Sequence, residues 1–144
     1  MMKANYHTHT WRCNHAEPDE RAYVQAALDT GLKVLGFSDH SPYPFDDGYC
    51  SGFRMRCDQT DEYIRTIAAL RDEYRGDIDI HIGFEAEYYP RYFGRLLEML
   101  EPTEYEYLIL GQHFWAMSWT ASQTLRRRMT PRACANTQTS AWRR

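Results

Sequence analysis

No stretch of this 144-residue chain approaches the 18 apolar residues of a membrane span, and the N-terminus is polar within five residues, too early for a signal-peptide core. These absences predict a soluble, cytoplasmic protein with no membrane partner. The four cysteines (Cys13, Cys50, Cys57 and Cys134) include no Cys-x-x-Cys pair, which argues against a zinc knuckle or a disulfide scaffold and predicts reduced thiols. No acidic residue follows Glu106 and no histidine follows His113. The final 30 residues hold six arginines and no Lys, Gly, Asp or Glu, so a net −3 chain divides into a body of −9 and a tail of +6. An acidic body lacks the basic stripe that tracks phosphate backbones, which argues against nucleic acid as partner and suits a site that concentrates metal cations.

Core material is plentiful. Aromatics make up 15% of the chain, and a chain of this length can bury about 68–70% of its unfolded surface as one domain. The pattern is strand, loop, helix, repeated. Lys3 to His9 reads as a strand, and Glu17-Pro18-Asp19-Glu20 opens a helix with Val24, Ala27 and Leu28 as its stripe and Gly31 as its stop. Val34 to Ser38 reads as a buried strand, followed by a long loop from Ser41 to Cys57. A second helix is expected over Thr60 to Arg75, facing inward with Tyr63, Ile67, Leu70 and Tyr74. Strand three is expected over Ile78 to Phe84. A third helix is expected from Pro90, burying Tyr92, Phe93, Leu96, Leu97 and Leu100, before strand four at Tyr107 to Gly111. Four strands alternating with three helices predict an α/β fold with a parallel sheet and right-handed crossovers.

The chemistry-bearing residues fall at the strand ends. His7 and His9 close the first strand, Asp39 and His40 the second, Glu85 the third and His113 the fourth. Side chains two apart on a strand share a face, with Cα atoms roughly 6.5 Å apart, so His7 and His9 can converge on one ion. Active groups in parallel α/β proteins gather at the carboxyl ends of strands, and scattered core histidines would not collect at all four. His81 shares parity with Glu85 but lies roughly 13 Å along the strand, and reads as a barrel or surface histidine. Cys13 reads as an uninvolved thiol, with a soft-ligand role as its alternative.

Taken in order, Tyr6-His7-Thr8-His9-Thr10, Cys13-Asn14-His15-Ala16, Gly36 to Pro42, Gly52-Phe53-Arg54-Met55, Gly83 to Tyr88 and Gly111-Gln112-His113-Phe114 resemble the PHP (polymerase and histidinol phosphatase) family of metal-dependent phosphoesterases. The likeness is strongest to its histidinol-phosphate phosphatase branch. The resemblance implies a distorted seven-stranded (β/α) TIM-like barrel carrying up to three divalent ions (zinc, manganese or iron) and acting on a small-molecule phosphate ester, histidinol phosphate. It implies that His7 and His9 bind one metal, His15 and His40 serve a neighbouring ion, Glu85 bridges two ions and His113 completes a further position. Glu85 and Asp39 are then the candidate catalytic carboxylates. Asp39 and Glu87 are read either as groups that orient imidazoles or as hydrogen-bonded loop acids. Arg54 and Arg56, in the loop after strand two, are the candidate phosphate ligands, since a guanidinium matches a phosphate oxygen pair.

The likeness stops near residue 114. The family's further histidine and late Asp-x-His pair have no counterpart after His113. Residues 1–114 are therefore expected to form the N-terminal half of the barrel, and residues 115–144 an aberrant basic tail without a packed structure, as a truncation or shifted reading frame would produce. Three readings stay open: a histidinol-phosphate phosphatase, a non-catalytic remnant of one, and a phosphoesterase acting on another phosphate ester.

Overall fold

The computed structural model describes residues 3–17, 19–46 and 48–113; the tail expectation and the role expected of Pro18 lie outside them. The elements are β1 (Ala4–Thr8), a 3₁₀ turn (Trp11–Cys13), α1 (Glu20–Asp29), β2 (Val34–His40), a second 3₁₀ turn (Cys57–Gln59), α2 (Thr60–Glu73), β3 (Asp79–Ala86), α3 (Phe93–Leu100) and β4 (Tyr107–Leu110). The strands form one sheet in the order β1-β2-β3-β4, every pair parallel. No helix among the described residues is long and apolar enough to cross a membrane.

Local chemistry sets the helix ends. The Asp19 carboxylate accepts from Ala22 N–H and caps α1, satisfying one of its orphan donors. Gly31, at φ 74°, lets the chain leave that helix through the left-handed region. α3 starts three residues later than expected from Pro90; residues 90–92 form a turn of their own, with the Tyr92 and Phe93 N–H groups both donating to Tyr89 O at 2.8 Å.

One face of the sheet carries the core. Val24 and Ala27 of α1, Tyr63, Ile67 and Leu70 of α2, and Leu96 and Leu100 of α3 are buried with Leu35, Phe37, Ile80, Ile82 and Phe84 of the strands. The Val, Leu, Ile and Phe side chains among them each contribute about 1.5–3 kcal/mol through burial. Leu97 is the exception to the expected stripe. It is 37% exposed, because the α3 arc that reaches the sheet is only as wide as Leu96 and Leu100.

The other face is bridged by one ring. Tyr107 lies against Gly36 and Gly83, and a side chain at Gly83 would meet the ring at 2.5–2.6 Å. Its hydroxyl donates to Tyr6 O at 2.8 Å and also approaches Phe37 O at 3.2 Å, so it ties β4 to β1 and β2. His81 stands at this level, paired with Glu106 at 2.5 Å and packed on Tyr6, away from the other histidines. Cys13 and Cys57 are free thiols, as expected, and Cys134 lies outside the described residues.

Candidate metal centre

The pairing register brings the strand-end groups together. His40 and Glu85 are direct partners across β2 and β3. On β1 the partners run Asn5↔Leu35 and then Thr8↔Phe37, three residues advancing against two. This is the geometry of a β-bulge, a device that re-aims side chains at barrel rims. Asn5 secures it: its Oδ1 accepts from His7 N–H and its Nδ2 donates to Thr8 Oγ1, both at 3.0 Å. The turn Trp11–Cys13 then folds the chain back, with Asn14 in the left-handed conformation, and delivers His15 beside His9 and His40.

The donors converge on Glu85. Its Oε2 lies 3.3 Å from His7 Nε2, 3.2 Å from His9 Nε2 and 3.0 Å from His40 Nδ1, while Oε1 lies 3.4 Å from His113 Nε2. His7 Nε2 and His9 Nε2 are 3.1 Å apart. Tetrahedral donors about 2.0–2.2 Å from a zinc ion stand roughly 3.3–3.5 Å from each other, close to this spacing. Glu85 Oε2, His40 Nδ1 and His9 Nδ1 are buried yet make no hydrogen bond. Buried polar atoms are nearly always satisfied, so near but mutually unbonded donors are what a cation would complete. Three donor groupings fit a single ion: His7, His9 and Glu85; His9, His15 and His40; His40, Glu85 and His113. The residues present therefore fit divalent metals.

Protonation favours the same use. Burial first, then the charges of His9, Arg54, His113 and His15, lower the His40 pKa to about 3, so its imidazole is a neutral ligand at pH 7. Cys13 also lies near His9 and Asp39. Burial and then Asp39 push its thiol up to about 12, and it donates to Thr10 O at 3.0 Å. A protonated thiol is a poor ligand.

Behind the imidazoles stand two enclosed carboxylates. Asp39, fully buried, accepts from Thr10 Oγ1 and from His40 N–H (2.8 Å), and faces His9 Nδ1 at 3.5 Å. Glu87, also fully buried, accepts from His113 N–H and lies 3.0 Å from His113 Nδ1, turning Nε2 toward Glu85. Cys13 O, at 3.0 Å, orients His15 through Nδ1 in the same way.

The two expected phosphate ligands are placed differently. Arg54, 3% exposed, bonds Glu87 through Nη2 and donates to Tyr89 OH at 3.1 Å, stacked over Phe53; its Nη1 is buried without a partner. Arg56 points along the loop and forms a two-nitrogen ion pair with Asp58 at 2.8 and 3.0 Å. Sequence reasoning missed Thr10, Arg12 and Ser41. Ser41 donates to Glu85 O from both N–H (2.9 Å) and Oγ (3.0 Å), pinning the strand that carries the central carboxylate. Thr10 stands in the Tyr6-to-Thr10 motif next to His9, a signal that was visible but was given no role.

Comparison with known proteins gives a consistent picture. The family model described as PHP domain matches residues 5–140, running beyond Phe114. A protein of Deinococcus radiodurans described as a probable histidinol-phosphatase is 38% identical over 108 residues, covering 75% of this chain and 41% of that one. The histidinol-phosphatase of Bacillus subtilis is 32% identical over 121 residues, covering 79% and 45%. Among solved structures, histidinol phosphate phosphatase of Lactococcus lactis, complexed with zinc, L-histidinol and phosphate, superposes with a TM-score of 0.65 at 24% identity, over 78% of this chain and 40% of that one. The parallel half-barrel is thus the fold of these phosphatases, and the chain spans less than half the length of the relatives it matches.

Proposed function

Because this chain belongs to the PHP domain family, we propose that its strand-end cluster is the metal-binding part of a phosphomonoesterase site that hydrolyses L-histidinol phosphate to L-histidinol and phosphate. The observation that carries this reading is Glu85, whose two oxygens face four imidazoles and share them between neighbouring donor groupings. The relatives named histidinol-phosphatase, and the zinc, histidinol and phosphate held by the Lactococcus lactis enzyme, support the substrate class and make zinc the first metal to test.

His7, His9, His15, His40, Glu85 and His113 would hold the ions, with Glu85 between them. When bound, divalent ions supply an activated water for in-line attack and stabilise charge on the phosphoryl oxygens. The chain's own groups do the positioning. Asp39 faces His9 and holds the His40 backbone, and Glu87 holds His113 through two contacts. Asp39 thus acts on the reaction through His9 and His40, its oxygens being taken up inside the protein. Arg54 Nη1, a buried donor without an acceptor, supports a phosphate-holding role for that arginine. Arg56, committed to Asp58, is assigned none.

The test is phosphate release from histidinol phosphate by the zinc- or manganese-loaded protein, with Glu85→Gln as control. Weak release by the native chain, absent from the control, is expected, since the family's later ligands have no counterpart after His113. Equal release from both would overturn the assignment, as would hydrolysis of other phosphomonoesters in preference to histidinol phosphate.

A further inference from the structure

Gly111 follows β4 directly, and its N–H donates to Ala86 O at 3.0 Å, so its backbone continues the ladder beside the end of β3. Nothing in that conformation requires glycine: the described glycines with positive φ are Gly31, Gly48 and Gly76. What requires it is space. A Cβ at position 111 would overlap Oε1, Cδ and Cγ of Glu85, far inside van der Waals contact. Ile109 is the register partner of Glu85, and residue 111, two further on, shares its face. A side chain at 111 would therefore project where the carboxylate lies.

Glu85 has no easy retreat. Its carbonyl is held twice by Ser41, and its side chain is 3% exposed with three imidazoles against Oε2. Turning the carboxylate alone does not relieve an overlap that includes Cγ; the whole side chain must change rotamer and leave the histidines. We infer that Gly111 is a positioning residue whose missing side chain forms the seat of the central carboxylate. Metal binding at the cluster depends on that seat. The functional consequence rests on the reading of Glu85 as a metal ligand; the steric relation between the two positions does not.

The test is a cycle on the full chain with Gly111→Ala, Glu85→Ala and the double variant, reading zinc affinity by competition with a chromophoric chelator and the Tm of the metal-free protein. Gly111→Ala is expected to weaken zinc binding about 10–100-fold, the range seen when groups that orient ligands are lost. It is also expected to lower the metal-free Tm by at least about 4 °C. In the Glu85→Ala background the overlapping atoms are gone, so adding Gly111→Ala should lower the Tm no further. Should Gly111→Ala fail to fold, a folded double variant supports the inference by itself. An equal Tm loss in both backgrounds, a double variant that also fails to fold, or native zinc affinity in Gly111→Ala would each overturn the inference. Failure to hydrolyse histidinol phosphate would leave the cycle unaffected and bear only on the proposed function.

Discussion

The two flanks of the metal centre are built on one plan and finished differently. On the β1 flank, Arg12 backs Thr10, Thr10 backs Asp39, and Asp39 faces His9. On the β3–β4 flank, Arg54 backs Glu87, which holds His113. Each has a buried arginine behind a buried carboxylate behind an imidazole. Arg12 commits every nitrogen to protein partners: Nε and Nη2 to Glu62 at 2.7 Å, Nη1 to Glu20 and Thr10. It thereby staples α1 and α2 to the histidine-bearing turn. Arg54 leaves Nη1 without a partner. The first flank is a closed brace, and the second is a brace with a donor left over. Buried charge pairs add little net stability but are costly to break from one side, so the flanks should differ most when a single partner is removed.

The largest effect is expected at Glu87. Glu87→Gln removes the charge that compensates Arg54, a guanidinium 3% exposed, and should cost about 3–5 kcal/mol. Urea denaturation of the metal-free protein measures this. Pairing it with Arg54→Met should recover most of the loss, since neither buried charge then remains. A cost below about 1 kcal/mol for Glu87→Gln would show that water reaches Arg54 and that the flank is not sealed.

Arg12→Met should cost less, about 1.5–3 kcal/mol. Of the carboxylates it abandons, the Glu62 side chain is 49% exposed and can rehydrate, whereas Glu20 is largely covered. Zinc affinity should fall less than in Glu87→Gln, because Arg12 reaches His9 only through Thr10 and Asp39. A larger zinc defect than that of Glu87→Gln would reverse the ranking of the flanks.

These arrangements mark the boundary of what the sequence could disclose. Strand ends were legible, because apolar runs stop where His7, His40, Glu85 and His113 begin, and parallel topology gathers such ends. The exclusion of His81 followed from strand rise alone. The braces were not legible. Arg12 meets Glu62 across 50 residues and Arg54 meets Glu87 across 33, and nothing local distinguishes a buried arginine from a solvated one. Arg54 accordingly reads from sequence as a phosphate ligand with no hint of its carboxylate partner. The bulge at β1 was hidden for another reason: it is a matter of register, and Asn5 is informative only once its two hydrogen bonds are seen. Leu97 misled because helical periodicity assigns a face but not its width. Gly111 resembled any strand-ending glycine, its meaning lying in the side chain of another strand.

His40 lies where the flanks meet, with ring neighbours His9 and His15 on one side and His113 on the other. Its lowered pKa, about 3, has a definite consequence for stability. Between the ordinary histidine value near 6.5 and about 3, the unfolded chain takes up a proton that the folded protein refuses, so the contribution present above pH 6.5 is lost as pH falls. Metal-free protein should therefore lose Tm steadily from pH 7 to pH 4. His40→Asn should flatten that slope even if it lowers the Tm at pH 7. An unchanged slope in the variant would show that His40 already accepts a proton in the folded state.

The smallest effect, and the finest test of the asymmetry, is expected at Thr10. Its hydroxyl donates to Asp39 Oδ2 and receives Arg12 Nη1 at 3.1 Å, so it is the single link between guanidinium and carboxylate on the β1 flank. Thr10→Val keeps the shape and deletes the link. Arg12 retains Glu20 and Glu62, and Asp39 retains the His40 N–H at 2.8 Å, so no charge is stranded. The loss should then be at the low end for hydrogen bonds to charged groups, about 1.5 kcal/mol, and Thr10→Ser should restore it. Zinc affinity should change by less than tenfold, since His9 follows directly on β1 and keeps that anchor. A loss matching that of Glu87→Gln would mean that Asp39 depends on Arg12 as fully as Glu87 depends on Arg54. The unpartnered Nη1 of Arg54 would then be the one difference left between the two flanks.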